Sequence, residues 1–221
     1  MIKTLDRITT HFVPSKEITT YSVYQDEFRQ QMEEIKQSGA TVITPDQLLR
    51  ALEGKQPLPP KSVIITFDDI DISVYKYAFP ILKEMDLPFT IFIISGEVGN
   101  PRFKGLHLAN WEQIQEMNAS GLVTIGSHTD RMHYLTKSEN PPFMDPHNKV
   151  AFEQDAKQSV QTLQAHLGSK PLYFAYPYGF GSAATDQVLT QSGFRLIFTL
   201  AAGIEHASDS PPSIDRLLIT R

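Results

Sequence analysis

Two rhythms of apolar and polar positions alternate along the chain. Short, almost wholly apolar runs recur: "ATVIT" (40–44), "SVIITF" (62–67), "PFTIFII" (88–94), "LVTIG" (122–126), "PLYFAY" (171–176) and "RLIFTL" (195–200). Alternating with helical segments, they read as strands of a parallel sheet covered on its outer face. Between them the spacing becomes helical. In "YQDEFRQQMEEIKQSG" the side chains of Phe28, Met32 and Ile35 fall on one face, and Gly39 supplies the stop. "TPDQLLRALEG" predicts a helix with Thr44 as N-cap and Pro45 at its first position. Further helices are expected over roughly Val74 to Met85, from near Trp111, from about Lys149 to Leu167, and near Thr185 to Gln191. In the helix from Lys149, Ala156, Val160, Leu163 and Leu167 share a face. "GKQPLPP" breaks regular structure, and a long Pro- and Asn-containing loop follows "LVTIG".

Buried strands alternating with amphipathic helices predict a parallel α/β sheet. Five or six such units are too few for a regular eight-fold barrel. The expected architecture is a distorted or incomplete (β/α) barrel, with an open doubly wound sheet as the runner-up. The 221 residues show no internal repeat and no composition break, so residues 1–221 read as a single domain. Apolar residues make up 41%, charged residues 20%, and the net charge is −5 without a basic run, which argues against nucleic acid as partner. Cysteine is absent, so any metal must be held by His and carboxylate. No stretch approaches the roughly 20 apolar residues of a membrane span, and no signal peptide is visible.

In parallel α/β folds functional residues gather beyond the C-terminal ends of strands. Three polar clusters fall there: Asp68, Asp69 and Asp71 after "VIITF", "GSHTDRMH" with His128 and His133 after "LVTI", and "YPYG" (Tyr176 to Gly179) after "LYFA". Two histidines and one carboxylate make a three-ligand metal set with a position left for water. The five-residue step between the histidines does not fit one helix face and requires a loop. One acid of the pair suffices as ligand, which leaves the other as a general base. Metal-assisted hydrolysis is the chemistry implied, with the substrate open.

"TFDD", "SHTDRMH" and "AYPYG", in that order, resemble the polysaccharide deacetylases with the NodB homology domain (carbohydrate esterase family four), from about Tyr21 to Arg216. The resemblance implies Asp68 as base, with Asp69, His128 and His133 as ligands of a divalent metal. Zinc is the expected ion; nickel, cobalt and iron suit similar donors. It further implies an oxyanion donor in the backbone N–H of Tyr178. Most members carry Gly after "TFDD", whereas here Ile70 is followed by Asp71, Ser73 and Tyr75. "FDDxDxSxY" is similar to the Gram-positive intercellular-adhesion branch, which deacetylates poly-β-1,6-N-acetylglucosamine of biofilm outside the cell. An extracellular or cell-surface location follows from that likeness alone.

The match has two gaps. Where many members have an Arg contacting the base, this chain has Ala175, and Arg216 is a candidate to supply the cation from another strand end, set against a solvated surface role. The family's catalytic-acid His motif is not visible either. His11 superficially suits a permuted position, but the likeness places the family's Tyr-His upstream of Met1; a chain trimmed at its N-terminus, or one lacking that group, is expected to be weakly active. Trp111, Tyr176, Pro177 and Tyr178 are candidates to contact sugar, with Trp111 equally a core anchor. His107 and His147 border the loops, His166 ends a helix, and His206 has no evident task. The alternatives are deacetylation of chitin or peptidoglycan, a glycosyltransferase holding its ion on "DID" (Asp69 to Asp71), and a non-catalytic polysaccharide-binding protein.

Overall fold

The structure, a computed structural model, describes residues 2–3, 23–201 and 213–219. The parallel pair β1 (Ile2–Lys3) and β2 (Val23–Tyr24) leads into α1 (Gln25–Gln37). β3 (Thr41–Val42), α2 (Pro45–Leu52) and β4 (Ser62–Val63) follow, with β3 and β4 forming a second parallel pair. Thr44 caps α2, accepting from Gln47 N, and Pro45 opens it. There, its missing N–H is no loss.

The main sheet begins at β5 (Thr66–Phe67). A π-turn at Val74–Ala78 then runs into α3 (Phe79–Glu84). Pro80 explains the wide turn: it has no N–H for the Lys76 carbonyl, and the Phe79 N–H reaches back five residues to Val74 instead. β6 (Phe89–Ile93), α4 (Trp111–Ala119), β7 (Val123–Ser127), α5 (Lys149–Leu167), β8 (Tyr173–Ala175), α6 (Ala183–Gln191), β9 (Leu196–Phe198) and β10 (Ser213–Ile214) complete the described chain.

Among the described residues, β5 to β10 form one six-stranded parallel sheet in strict chain order. That order decides between the two expected architectures. A doubly wound sheet reverses direction at a switch point, and here no reversal occurs. The sheet curls into a half-barrel, the incomplete (β/α) barrel.

Strand alternation sorts the core into two faces. Ile91, Ile93, Phe174, Tyr176 and Ile197 pack outward beneath the helices. Phe92, Ala175, Leu196 and Phe198 point inward, where Ile43 and α2, through Leu48 and Leu49, fill the concave side. One predicted strand is corrected. "SVIITF" is not continuous: residues 62–63 pair with 41–42, whereas 66–67 pair with 90–91, so the run changes partners at Ile64 and Ile65. No helix among the described residues is long and apolar enough to cross a membrane.

Candidate metal centre and catalytic dyad

Asp68 and Asp69 leave the end of β5 together and diverge at once. Asp69 and Ile70 both take left-handed backbone angles (φ 65° and 60°), which turn the chain sharply after Asp68. Such angles cost on the order of 1–2 kcal/mol for a residue with a Cβ, and a β-branched side chain is especially unsuited to them. Ile70 meets that cost by burial: it is 1% exposed and packs with Val74 and Ala78. The turn is also tied to the loop after β6, because the Ala109 N–H donates to the Ile70 carbonyl at 3.0 Å.

Asp69 faces two imidazoles. Its Oδ1 lies 3.0 Å from His133 Nε2 and 3.5 Å from His128 Nε2, and it is a buried oxygen with no well-aligned hydrogen bond. His128 follows β7 and is buried. Its Nδ1 donates to the Ala175 carbonyl at the end of β8, 2.7 Å away, which leaves the Nε2 lone pair turned toward Asp69. Burial outweighs the neighbouring carboxylates and lowers the His128 pKa, so the ring stays neutral and able to ligate. The Asp69, His128 and His133 ligand atoms lie within 4.8 Å of one another. An unbonded carboxylate oxygen, a tautomer-locked imidazole and a second imidazole converging on one point fit a divalent cation. The loop between the histidines is non-helical, as their spacing requires.

Asp68 takes the opposite partner. Arg216, just past β10, sends Nη1 to Asp68 Oδ1 at 2.7 Å and Nη2 to Oδ2 at 2.8 Å, a bidentate fork. The guanidinium is itself fixed: Nε donates to the Thr199 carbonyl and Nη1 to Thr66 Oγ1, and the group lies over Phe92 and Phe198. Burial alone would raise the Asp68 pKa. The Arg216 charge, with its two hydrogen bonds to the carboxylate, overcomes it and holds the carboxyl at about 2.

Residues 55–197 match the sequence profile of the family described as polysaccharide deacetylase. The chain belongs to the polysaccharide deacetylase family. Two curated relatives are named poly-β-1,6-N-acetyl-D-glucosamine N-deacetylase. The one from Staphylococcus epidermidis is 35% identical over 186 residues, spanning 84% of this chain and 64% of its own. The one from Staphylococcus aureus is 32% identical over 216 residues, spanning 98% and 74%. The chain thus covers roughly two thirds to three quarters of these relatives' length. The solved structure of IcaB from Ammonifex degensii superimposes with a TM-score of 0.88 at 40% identity, over 99% of this chain and 91% of that one.

In this polysaccharide deacetylase family member the "PYG" segment forms a tight turn after β8, with Tyr178 at φ 61°. Tyr178 is half-buried, and its ring lies 4.9 Å from that of His133. Tyr176 and Pro177, expected as candidates to contact sugar, are not at the surface. Both are buried. Tyr176 continues the alternation of β8 into the outer core, where its hydroxyl donates to Asp186 Oδ1 at 2.7 Å and sits 2.8 Å from Thr185 Oγ1. Burial, with that acidic partner, pushes its pKa far upward.

Trp111 starts α4, packs on the core and stacks on His166 with ring centroids 3.8 Å apart. The exposed His147 pairs with Asp145 beside it. His107 is exposed, and its main chain bonds to the segment after β5. His11 and His206 lie outside the described residues.

Asp71 overturns the diphosphate-binding reading of "DID". Its Oδ1 accepts from Ser73 N at 3.0 Å and its Oδ2 from His107 N at 3.1 Å. Both oxygens serve the backbone, so Asp69 and Asp71 do not converge on an ion. Sequence reasoning missed Lys104, whose ammonium bonds the Tyr178 hydroxyl and lies 3.5 Å from His133 Nδ1. Its loop leaves the C-terminal end of β6, the same edge as the other clusters, and that position was the available signal.

Proposed function

We propose that this chain hydrolyses the acetamide of N-acetylglucosamine units in a β-linked polymer, releasing acetate and a free amine, with poly-β-1,6-N-acetylglucosamine as substrate. The carrying observation is that two adjacent carboxylates meet opposite partners: Asp68 a guanidinium, Asp69 a pair of imidazoles. Asp69, His128 and His133 would hold the cation, and a set of two nitrogens and one oxygen favours zinc over hard cations, with nickel, cobalt and iron as competitors. Such an ion supplies Lewis acidity, lowering the pKa of water and polarising a carbonyl, so that a weakly basic carboxylate suffices as base.

Asp68 takes the proton from the attacking water as its oxygen bonds to the acetyl carbon. Arg216 keeps that carboxylate ionised and aimed. The Tyr178 backbone N–H donates to the carbonyl oxygen as it gains negative charge. The C–N bond then breaks as the proton taken up by Asp68 passes to the departing nitrogen, leaving acetate and the free amine. Residues 1–221 act as one deacetylase domain in this reading, at the cell surface or outside the cell, as the adhesion-branch likeness implies.

Acetate release from β-1,6- and β-1,4-linked N-acetylglucosamine oligomers tests the proposal. Release from the β-1,6 series that is lost in Asp68→Asn and His128→Ala is the expected result. Preference for the β-1,4 series would redirect the substrate to chitin-like or peptidoglycan chains. Binding without release would make the chain a non-catalytic relative, and release undiminished in both variants would sink the mechanism.

A further inference from the structure

We propose that Asp155 is a positioning residue of the metal centre, setting its affinity through the loop that joins the two ligand histidines. The inference rests on the metal-site reading above. Asp155 lies on α5 and touches neither histidine. Its Oδ2 accepts the Asp130 N–H at 2.8 Å and its Oδ1 accepts the Arg131 N–H at 2.7 Å. Both donors lie within the five-residue step from His128 to His133.

A loop of that kind has many backbone states, and ordering each residue costs on the order of 1–2 kcal/mol of conformational entropy. Charge-assisted bonds to consecutive main-chain N–H groups select one state before any ion arrives. One turn further along the same helix, Ser159 Oγ lies 2.7 Å from Ser127 Oγ and 3.1 Å from Ser95 Oγ, which fixes the strand end just before His128. From the other side, the Gly96 N–H donates to the Asp130 carbonyl at 3.0 Å. A Cβ on Gly96 would come within 2.7 Å of that carbonyl, so only glycine permits this approach. The loop is thereby held between the β6 end and α5, and Asp155 is the part of the clamp that carries charge.

Partners that orient a ligand from outside are typically worth roughly 10- to 100-fold in metal affinity. The test is competition for Zn²⁺ between the chelator-stripped protein and a chromogenic chelator. Asp155→Asn retains a single side-chain carbonyl acceptor and should bind Zn²⁺ roughly 10- to 100-fold more weakly. Its amide exchange at residues 130 and 131 should rise, with that of β7 unchanged. Asp155→Glu, which keeps the charge but displaces it by a methylene, should fall between and decides the question if the Asn variant does not fold. Glu153→Gln, on the exposed side of the same helix, should match the unsubstituted protein. Zn²⁺ affinity in the Asp155 variants equal to that of the unsubstituted protein, with His128→Ala deficient, overturns the proposal and leaves the metal site standing. If the unsubstituted protein binds no better than His128→Ala, the metal-site reading falls and this inference falls with it.

Discussion

Arg216 and Asp68, 148 positions apart in sequence, share a bidentate ion pair with N–O distances of 2.7 and 2.8 Å. The Asp68 carboxyl is depressed to about 2 from an ordinary 3.8, so its contribution to stability is complete above the ordinary value and lost as pH falls toward the depressed one. The difference corresponds to about 2 kcal/mol at most. Arg216→Ala should lower stability at neutral pH by about that amount, or roughly 4–8 °C in Tm for a chain of this size. Its stability should also vary less than that of the unsubstituted protein between pH 4 and pH 2, which acid titration followed by circular dichroism would measure. Arg216→Lys should recover only part, because one ammonium cannot engage both oxygens in the same fork.

His128→Ala removes one of the proposed ligands and also frees the Ala175 carbonyl. Thermal scans with and without added Zn²⁺ should show a metal-induced rise in Tm for the unsubstituted protein and none for the variant. Acetate release should fall by at least about 100-fold, since Lewis-acid stabilisation is worth several kcal/mol and each 1.4 kcal/mol is tenfold in rate. A variant that kept both its metal shift and its turnover would remove His128 from the centre.

Asp71→Ala strands the Ser73 and His107 N–H groups that the carboxylate now accepts. The buried Ser73 donor, once stranded, costs about 1–3 kcal/mol, so a clear loss of stability is expected. Zn²⁺ affinity should be retained, because neither Asp71 oxygen faces the histidines. Loss of metal equal to that in Asp69→Ala would restore Asp71 to the ligand set.

Ile70→Gly weighs backbone strain against burial. Glycine relieves about 1–2 kcal/mol of left-handed strain, but the change empties a position worth about 2–5 kcal/mol in a core. Glycine also enlarges the entropy of the unfolded chain. Net destabilisation by about 2 kcal/mol is expected in denaturant titration. A more stable variant would show that the turn, rather than the side chain, dominates this position.

The parallel α/β architecture was legible because most strands lie in nearly apolar runs and the helices between them carry apolar positions at helical spacing. The convergence of Asp69, His128 and His133 was legible for a different reason: parallel strands bring their C-terminal ends together whatever lies between them. Other features left weaker traces. The change of partners inside "SVIITF" leaves no mark on an apolar pattern. Tyr176 was misplaced because motif proximity says nothing about which face a strand's next residue takes. Asp155 was invisible because it accepts main-chain N–H groups, and those look alike at every position of a sequence. Arg216 could be nominated from its place near the chain's last strand, but only the folded sheet brings it to Asp68.

That pair has a consequence for the sheet as a mechanical object. Among the described residues β5 and β10 are its two end strands, and Arg216 spans from one to the other, gripping Thr66 and Asp68 on the far side. A half-barrel has an open seam, and here the seam is buttoned by the ion pair that holds the proposed base. Spreading the edges would part base from cation, whereas the three ligand residues, carried on β5, β7 and the loop beyond, lie on one side of the opening. The contact that holds the Asp68 carboxylate is thus also one that ties the first strand of the sheet to the segment after its last.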